Sequence, residues 1–219
     1  MQKTSVNWPE RLLLPAMIVF MMLIFSTYPL ILLLHLPGLY QSEFREYNSY
    51  NNFQGYNEQT INSQFDGVLD YLNFSRQEPD QNYFSAEDLI HLSDVRNLIK
   101  AVYILAIISG TAIFLLILGP VTWTGLLRRS LRLAGLATLG LVLIIVVAAS
   151  LNFHALFISF HELSFSNPYW QLDPATSNLI KYFPEQIFAN LLSIWLGITA
   201  LCALFCVISA KIIRREAKQ

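Results

Sequence analysis

Four long apolar runs dominate this sequence and limit the folds that it can adopt. They cover residues 12–36, 98–118, 133–159 and 186–210. Each has the roughly 20 apolar residues that an α-helix needs to cross the hydrocarbon core of a bilayer. Lipid offers no partners to backbone polar groups, so runs of this length cross the membrane as helices. The sequence therefore predicts an all-α polytopic membrane protein with four transmembrane helices, organised as a single membrane domain over residues 1–219.

The composition supports the same fold class. The chain is 54% hydrophobic and 13% charged, whereas about a quarter of a typical soluble domain is charged. A formal net charge of −1 gives no indication of a nucleic-acid partner. The first run is too long for the apolar core of a signal peptide and no small-residue cleavage site follows it, which predicts an uncleaved helix. Cys202 and Cys206 lie four residues apart in the last run and are interpreted as packing residues.

Charged residues are distributed unevenly along the chain. The N-terminus, the connection 119–132 and the C-terminus hold nine of the fourteen Lys and Arg residues but only two of the fifteen acids. Lys and Arg concentrate in the cytoplasmic loops of membrane proteins. Both termini and the connection 119–132 are therefore predicted to be cytoplasmic. Segments 37–97 and 160–185 are predicted to form a small extracytoplasmic cap.

The cap contains two short helix patterns. From Thr60 to Phe74, apolar residues recur at three- and four-residue spacing, which is typical of an amphipathic helix. In the second cap segment, Asp173 follows turn signals and is predicted to begin a short helix that continues through Tyr182. Both helices are expected to lie close to the outer membrane surface.

A third helix pattern joins the cap to the second span. Ser85 and Asp88 match a capping box, in which two residues three apart close the N-terminus of a helix. His91 lies in that helix on the same face as Glu87, four residues before it, and Asp94, three residues after it. His91 is thereby placed above the second span, at the level of the lipid headgroups.

His161 occupies a matching position at the outer end of the third span. Two histidines from two helices are thus predicted to meet at one depth. Aromatic residues surround both positions in the sequence and are candidates for the walls of a substrate pocket: Phe84, Phe160, Phe165, Tyr169 and Trp170.

Each histidine also has a structural interpretation, as a hydrogen-bonded residue at a membrane interface. That interpretation is favoured for His154, two turns before His161, and for His35 at the end of the first span. A metal site formed by His91, His154 and His161 lacks the HExxH or clustered His spacing of zinc proteins. We predict neither a metal nor a cofactor. The serine-nucleophile and nucleotide-binding motifs GxSxG, Walker A and GxGxxG do not occur.

Two stretches carry a resemblance to a known family. Residues 83–96, YFSAEDLIHLSDVR, and 160–174, FHELSFSNPYWQLDP, resemble the lipoprotein intramolecular transacylase family, Lit, which comprises bacterial four-span membrane proteins. The pairing of HLxDV with FHxxxF and WxLxP is fairly specific, and the resemblance extends over nearly the whole chain. It implies an acyltransferase in the bacterial cytoplasmic membrane, with its active site at the extracytoplasmic face.

The resemblance also implies a substrate and a chemistry. The substrate is a diacylated lipoprotein among membrane lipids, and the sn-2 acyl chain of its S-diacylglyceryl group moves to the α-amino group of the N-terminal cysteine. The product is the lyso-form lipoprotein. His91 and His161 are implied as the catalytic acid–base pair, with the roles of the two rings left open. Four charged residues are supporting candidates, as carboxylates that fix a histidine tautomer or as a cation that holds a carbonyl or a nearby phosphate: Glu87, Asp94, Glu162 and Arg96.

Two other functions stay open at this point. One is a non-enzymatic four-span protein whose cap binds a partner, and the other is a lipid acyltransferase that works between two molecules. A ping-pong reaction between two molecules needs a nucleophilic side chain, and no activated serine or cysteine is evident. The oligomeric state is left open as well.

Overall fold

In a computed structural model, the chain is described over residues 8–75, 78–118 and 124–216. All regular structure within these ranges is helical. The order of elements is α1 (Trp8–Leu34), α2 (Pro37–Glu46), a 3-10 helix (Ser49–Asn52), α3 (Glu58–Leu72), α4 (Ala86–Ile117), α5 (Thr124–Ser164), α6 (Leu179–Tyr182) and α7 (Glu185–Glu216).

Four of the described helices are long and apolar enough to cross a membrane, namely α1, α4, α5 and α7. They correspond to the four predicted spans, which confirms the all-α membrane fold. Two of these helices extend past the predicted spans toward the cap, because α4 begins at Ala86 and α5 ends at Ser164. These extensions carry the two candidate histidines.

The described residues fall into two compact units. The first contains the chain up to Pro29, Tyr103–Val146 and the chain from Trp195. Its buried cluster joins three helices and consists of Met17, Met21, Phe25, Leu126, Ala134 and Ala203. At Gly135, an added Cβ atom would lie 2.7 Å from the carbonyl oxygen of Ala203. Small residues at such crossings let two membrane helices pack closely.

The second unit contains Leu30–Val102 and Val147–Ile194, and its core is aromatic. Phe44, Phe65 and Tyr182 are completely buried, although they come from three different helices. The ring centroids of Phe44 and Phe65 lie 4.9 Å apart in a T-shaped arrangement, and those of Phe65 and Tyr182 lie 5.2 Å apart. Such aromatic pairs contribute about 0.5–1.5 kcal/mol beyond the area that they bury.

A chain of hydrogen bonds runs through this aromatic core. The hydroxyl of Tyr182 donates to the carbonyl oxygen of Ile61 at 2.7 Å, so the hydroxyl of Tyr83, 2.8 Å away, is the donor to Tyr182. Burial raises the pKa of Tyr83 to about 12. Burial also raises the pKa of Tyr182 above its ordinary value. Both hydroxyls are therefore protonated donors at neutral pH.

Helix α3 is the predicted amphipathic helix with slightly different bounds. It begins at Glu58 because the side chain of Asn57 accepts a hydrogen bond from the Thr60 amide at 2.8 Å. The predicted apolar stripe is buried and consists of Ile61, Phe65, Val68, Leu69 and Leu72. Beyond the last turn, the side-chain amide of Asn73 donates to the carbonyl oxygen of Leu34 at 2.9 Å. This bond satisfies a carbonyl at the end of α1.

Two predicted helices differ from the observed ones. The helix predicted from Asp173 through Tyr182 is a single turn, α6, that begins only at Leu179. Asp173 closes a turn instead, because its side chain accepts from the Ala175 amide at 2.9 Å and its carbonyl accepts from the Ser177 amide at 2.8 Å. The third span was predicted as one continuous helix, but α5 has non-helical backbone at Asn152 (φ −162°, ψ 91°).

Candidate active site

The capping box predicted at Ser85 and Asp88 begins helix α4. The Ser85 hydroxyl accepts from the Asp88 amide, and the Asp88 carboxylate accepts from the Ser85 amide, both at 3.1 Å. Two backbone donors that an isolated helix would leave open are satisfied in this way. The box fixes where α4 starts, and hence that His91 lies in its second turn.

Asp88 has a second role that the sequence pattern did not indicate. Its carboxylate is completely buried and accepts hydrogen bonds from the Ser177 hydroxyl and from the amides of Asn178 and Leu179. These amides lie at the start of α6, where a helix dipole favours a negative charge. Asp88 therefore attaches the second cap segment to α4 one turn before His91.

The segment that carries His161 begins at the break in α5. The side chain of Asn152 accepts a hydrogen bond from the Ala155 amide at 3.0 Å, which is the geometry of a helix N-cap. The residues from 153 to 164 thus form a separately capped helical segment at the end of α5.

The structure brings His91 and His161 together. Both side chains are buried, with 9% and 6% of their surface exposed. Their ring centroids are 6.2 Å apart and the ring planes are inclined by 33°. The described contacts include no hydrogen bond between the two rings. At this centroid spacing, a reacting group that contacts one ring also lies within reach of the other.

Hydrogen bonding differs between the two rings and fixes the available nitrogen atom in His161. The Nδ1 atom of His161 lies 2.7 Å from the carbonyl oxygen of Phe157. A carbonyl can only accept, so Nδ1 carries the proton in the neutral ring and Nε2 has the free electron pair. The Nδ1 atom of His91 is buried and has no hydrogen-bond partner among the described residues, so no described bond selects the tautomer of that ring. In His161, Nε2 is the atom left for proton exchange.

Aromatic side chains surround the two imidazoles. The Phe165 ring lies 5.0 Å from His91 and 5.7 Å from His161, and the Trp170 ring lies 5.0 Å from His161. Phe160 contacts His161 edge-on at 5.4 Å. Two other predicted wall residues lie elsewhere: Phe84 packs on Tyr182 in the aromatic core, and Tyr169 is exposed.

The four charged supporting candidates differ in their surroundings. Glu87 and Glu162 are exposed. One carboxylate oxygen of Asp94 accepts a hydrogen bond from the side-chain amide of Asn167 at 2.8 Å. The guanidinium carbon of Arg96 lies 4.2 Å from the ring centroid of Tyr71 and 4.9 Å from that of Phe74, which is cation–π geometry.

The remaining histidines have hydrogen-bond partners outside the pair. The Nδ1 atom of His154 lies 2.9 Å from a carboxylate oxygen of Glu185, and both side chains are partly or largely exposed. The Nδ1 atom of His35 lies 2.9 Å from the carbonyl oxygen of Ile31 in its own helix. Within the part of the chain that the structure describes, no group of three or more His, Cys, Asp and Glu residues is arranged to hold a metal ion.

Three residues that support the segments around the histidine pair were not singled out from the sequence. Asn152 caps the segment of His161, Phe157 supplies the carbonyl that fixes the tautomer, and Asn167 binds Asp94. The only local signal was for Phe157, which lies one helical turn before His161. Asn152 is one polar residue inside an apolar run, and the contact between Asn167 and Asp94 joins residues 73 positions apart.

A comparison with protein families identifies the chain. The model of "Lipoprotein intramolecular transacylase Lit" matches residues 12–188, which is most of the sequence and includes both histidines. The chain belongs to the Lit family. Lit members are lipoprotein intramolecular transacylases, so this chain is an acyltransferase, as the resemblance implied.

Solved Lit structures share the fold. The membrane-integral lipoprotein intramolecular transacylase Lit from Bacillus cereus is 21% identical, with a TM-score of 0.73 over 96% of this chain and 98% of that chain. Two variants of the same protein, each with a histidine replaced, are 22% identical. The arginine variant gives a TM-score of 0.68 over 96% of this chain and 94% of that chain. The alanine variant gives 0.65 over 96% of both chains. A comparison with curated proteins finds no match.

Proposed function

We propose that this Lit enzyme moves the sn-2 acyl chain of an S-diacylglyceryl lipoprotein to the α-amino group of the lipoprotein's own N-terminal cysteine. The observation that carries the proposal is the buried pair of His91 and His161, 6.2 Å apart. Both reacting groups belong to one substrate molecule, so the enzyme's main task is to orient them. Orientation alone can lower such a barrier by several kcal/mol. An ester becomes an amide, which is downhill and requires no second acyl donor.

Two proton acceptors fit the proton balance of this reaction. The α-amino group has a reference pKa of roughly 7.7–8.0 and is mostly an ammonium at neutral pH. In the proposed reaction, Nε2 of His91 takes the first proton and the free amine attacks the ester carbonyl carbon. As the C–N bond forms, Nε2 of His161 takes the second proton. As the C–O bond breaks, His91 returns its proton to the glyceryl oxygen, and His161 releases the other to solvent.

The fixed tautomer of His161 supports this division of roles. With Nδ1–H bound to the Phe157 carbonyl, Nε2 presents an electron pair without any rearrangement of the ring. The aromatic rings of Phe165 and Trp170 beside the imidazoles limit the access of water. Water would otherwise hydrolyse the ester in competition with the amine.

The proposed site faces the outside of the cell. The Lys and Arg distribution assigns the connection 119–132 to the cytoplasm, and the helix ends that carry His91 and His161 lie at the other ends of α4 and α5. A diacylated lipoprotein is anchored in the membrane by its acyl chains. We therefore place the reaction at the extracytoplasmic face of the bacterial cytoplasmic membrane.

Alanine substitution of the two histidines tests the function. We expect His91→Ala and His161→Ala each to lower the conversion rate at least about 100-fold, as is typical for loss of a general acid or base. Mass spectrometry of lipoprotein N-termini from cells that express each variant measures the product. His35→Ala is the matched control, because that ring is exposed and bonded within its own helix. An undiminished amount of lyso-form lipoprotein in the His91→Ala or the His161→Ala variant would contradict the proposal.

A crossover experiment tests whether the transfer is intramolecular. Two diacylated lipopeptides with different peptide sequences and different acyl chains are mixed with the purified enzyme. We expect each product to carry only the N-acyl chain of its own precursor, because amine and ester meet within one molecule. Crossed products in statistical proportion would establish an acyltransferase that works between molecules.

A further inference from the structure

The loop after α5 places two aromatic rings against the histidine pair. Phe165 directly follows α5 and contacts both imidazoles, and Trp170 packs on His161 at 5.0 Å. Between these residues the chain forms tight turns and not a regular helix. The Tyr169 amide donates to the side-chain oxygen of Asn167 at 3.0 Å, and the Gln171 amide donates to the carbonyl oxygen of Pro168 at 3.0 Å. The shape of the loop thus determines where the two rings lie.

A hydrogen bond between two side chains attaches this loop to α4. The side-chain nitrogen of Asn167 donates to Asp94 at 2.8 Å, and Asp94 lies one turn after His91. Asn167 therefore uses both ends of its amide, the oxygen for the turn and the nitrogen for α4. Among the side chains of this length only asparagine both donates and accepts, so neither aspartate nor leucine can replace it while Asp94 is its partner.

The same bond gives Asp94 a defined partner. A carboxylate three residues after a histidine could instead orient the imidazole, as in catalytic triads. The described hydrogen bonds of Asp94 do not include either histidine; its partner is Asn167. The bond joins the helix that carries His91 to the loop that contacts His161.

We propose that Asp94 and Asn167 are positioning residues for the transfer. Their hydrogen bond holds Phe165 and Trp170 against the imidazoles and so maintains the spacing of the two rings on which the proposed reaction depends. Neither residue exchanges a proton with the substrate. This inference rests on the proposed function, because it assigns the two residues to the geometry of that reaction.

An exchange of the two side chains tests the proposal. Asn167→Asp places two carboxylates against each other, and we expect at least a tenfold slower conversion, since a displacement of about 1 Å can cost about 100-fold in rate. The double variant Asp94→Asn/Asn167→Asp restores a donor facing an acceptor and leaves a carboxylate oxygen for the Tyr169 amide. We expect it to recover to within about threefold of the wild-type rate, because coupled residues are not additive. The measurement is the rate of lyso-form production from a diacylated lipopeptide in detergent, across a range of pH.

Asp94→Asn alone distinguishes positioning from proton transfer. An asparagine at this position still offers an oxygen to Asn167, so we expect at least a third of the wild-type rate when each enzyme is compared at its own pH optimum, because removal of a carboxylate near His91 displaces that optimum. Loss of more than about 100-fold at the optimum would overturn the proposal and make the carboxylate part of the proton transfer. Thermal unfolding shows whether Asn167→Asp folds. If it does not, Asp94→Asn still distinguishes a positioning role from proton transfer.

Controls separate the failure of this inference from the failure of the proposed function. Asn97→Asp adds the same charge to an exposed position of α4 and should leave the rate unchanged. Wild-type enzyme that yields no lyso-form would contradict the proposed function itself. Two results with an active wild type would overturn only the positioning role. One is a double variant that is no faster than Asn167→Asp, and the other is an Asn167→Asp variant with the full wild-type rate.

Discussion

At the scale of single residues, hydrogen-bond partners separate titratable groups that can react from those that hold the structure. His161 uses Nδ1 for the Phe157 carbonyl and keeps Nε2 open. Asp88 lies one turn before His91 on α4, but its carboxylate accepts hydrogen bonds from Ser85, Ser177 and the start of α6. A carboxylate surrounded by donors in this way is a structural anchor, because its oxygens are already occupied.

The anchor role of Asp88 leads to a prediction about stability. Asp88→Ala leaves the Ser177 hydroxyl and the Asn178 and Leu179 amides without their acceptor, and unsatisfied buried groups are expensive. We expect a loss of about 3 kcal/mol in the free energy of unfolding. Thermal or denaturant unfolding in detergent measures this loss.

The neighbouring acid supplies the control for Asp88. Glu87 lies in the same first turn of α4 but is exposed, so Glu87→Ala should change the free energy of unfolding by no more than about 0.5 kcal/mol. Equal effects of the two substitutions would show that the contribution comes from the charge near the helix N-terminus and not from the contacts with α6.

At the scale of helices, local patterns were predictable and long-range ones were not. The capping box of α4 and the apolar stripe of α3 depend on residues three or four positions apart, so the sequence indicated both. The break at Asn152 was not predicted, because one asparagine in an apolar run also fits a continuous helix. Helix α6 was predicted too long because its start depends on Asp88, which lies about 90 residues earlier in the chain.

The tyrosine pair of the aromatic core predicts a pH dependence for the cap. In the folded state the pKa of Tyr83 is about 12, and that of Tyr182 is also raised, whereas an unfolded tyrosine has a pKa of about 10. Because both pKa values are raised on folding, the protonated tyrosines stabilise the folded state. This stabilisation is fully present below about pH 10 and is lost as the pH rises toward the pKa of the folded state. We expect the free energy of unfolding to be level between about pH 7 and pH 9 and to fall above about pH 10.

Ultraviolet absorbance of tyrosinate, recorded with thermal unfolding at each pH, tests this dependence. Tyr83→Phe removes one titrating group and should make the alkaline loss less steep. Tyr169→Phe removes an exposed tyrosine and should leave it unchanged. Identical alkaline profiles for wild type and Tyr83→Phe would contradict the role of this pair.

At the scale of the whole molecule, the four membrane helices were predictable because hydropathy extends over some 20 residues and does not depend on tertiary contacts. The histidine pair was predictable in part. Both residues follow from their positions at the helix ends, but their separation and the tautomer of His161 depend on loop and backbone contacts that no local pattern contains.

The orientation of the molecule can be tested by labelling single cysteines. In a chain with Cys202 and Cys206 replaced by alanine, Ser93→Cys lies on the exposed surface of α4 near His91, and Arg129→Cys lies in the connection 119–132. We expect a membrane-impermeant maleimide to label Ser93→Cys in intact spheroplasts, because the positive-inside rule predicts that this end of α4 is extracytoplasmic. Arg129→Cys should react only after permeabilisation. The reverse pattern would exclude an extracytoplasmic site.

The bond from Asn73 to the end of α1 has a practical consequence for producing the protein. Asn73, Phe74 and Ser75 match the acceptor tripeptide for N-linked glycosylation. The nitrogen that would carry the sugar is the atom that donates to the carbonyl oxygen of Leu34. During expression through a eukaryotic secretory pathway, attachment of a glycan to Asn73 would therefore compete with the hydrogen bond to the Leu34 carbonyl. The substitution Ser75→Ala prevents this competition, because it removes the acceptor tripeptide and retains Asn73.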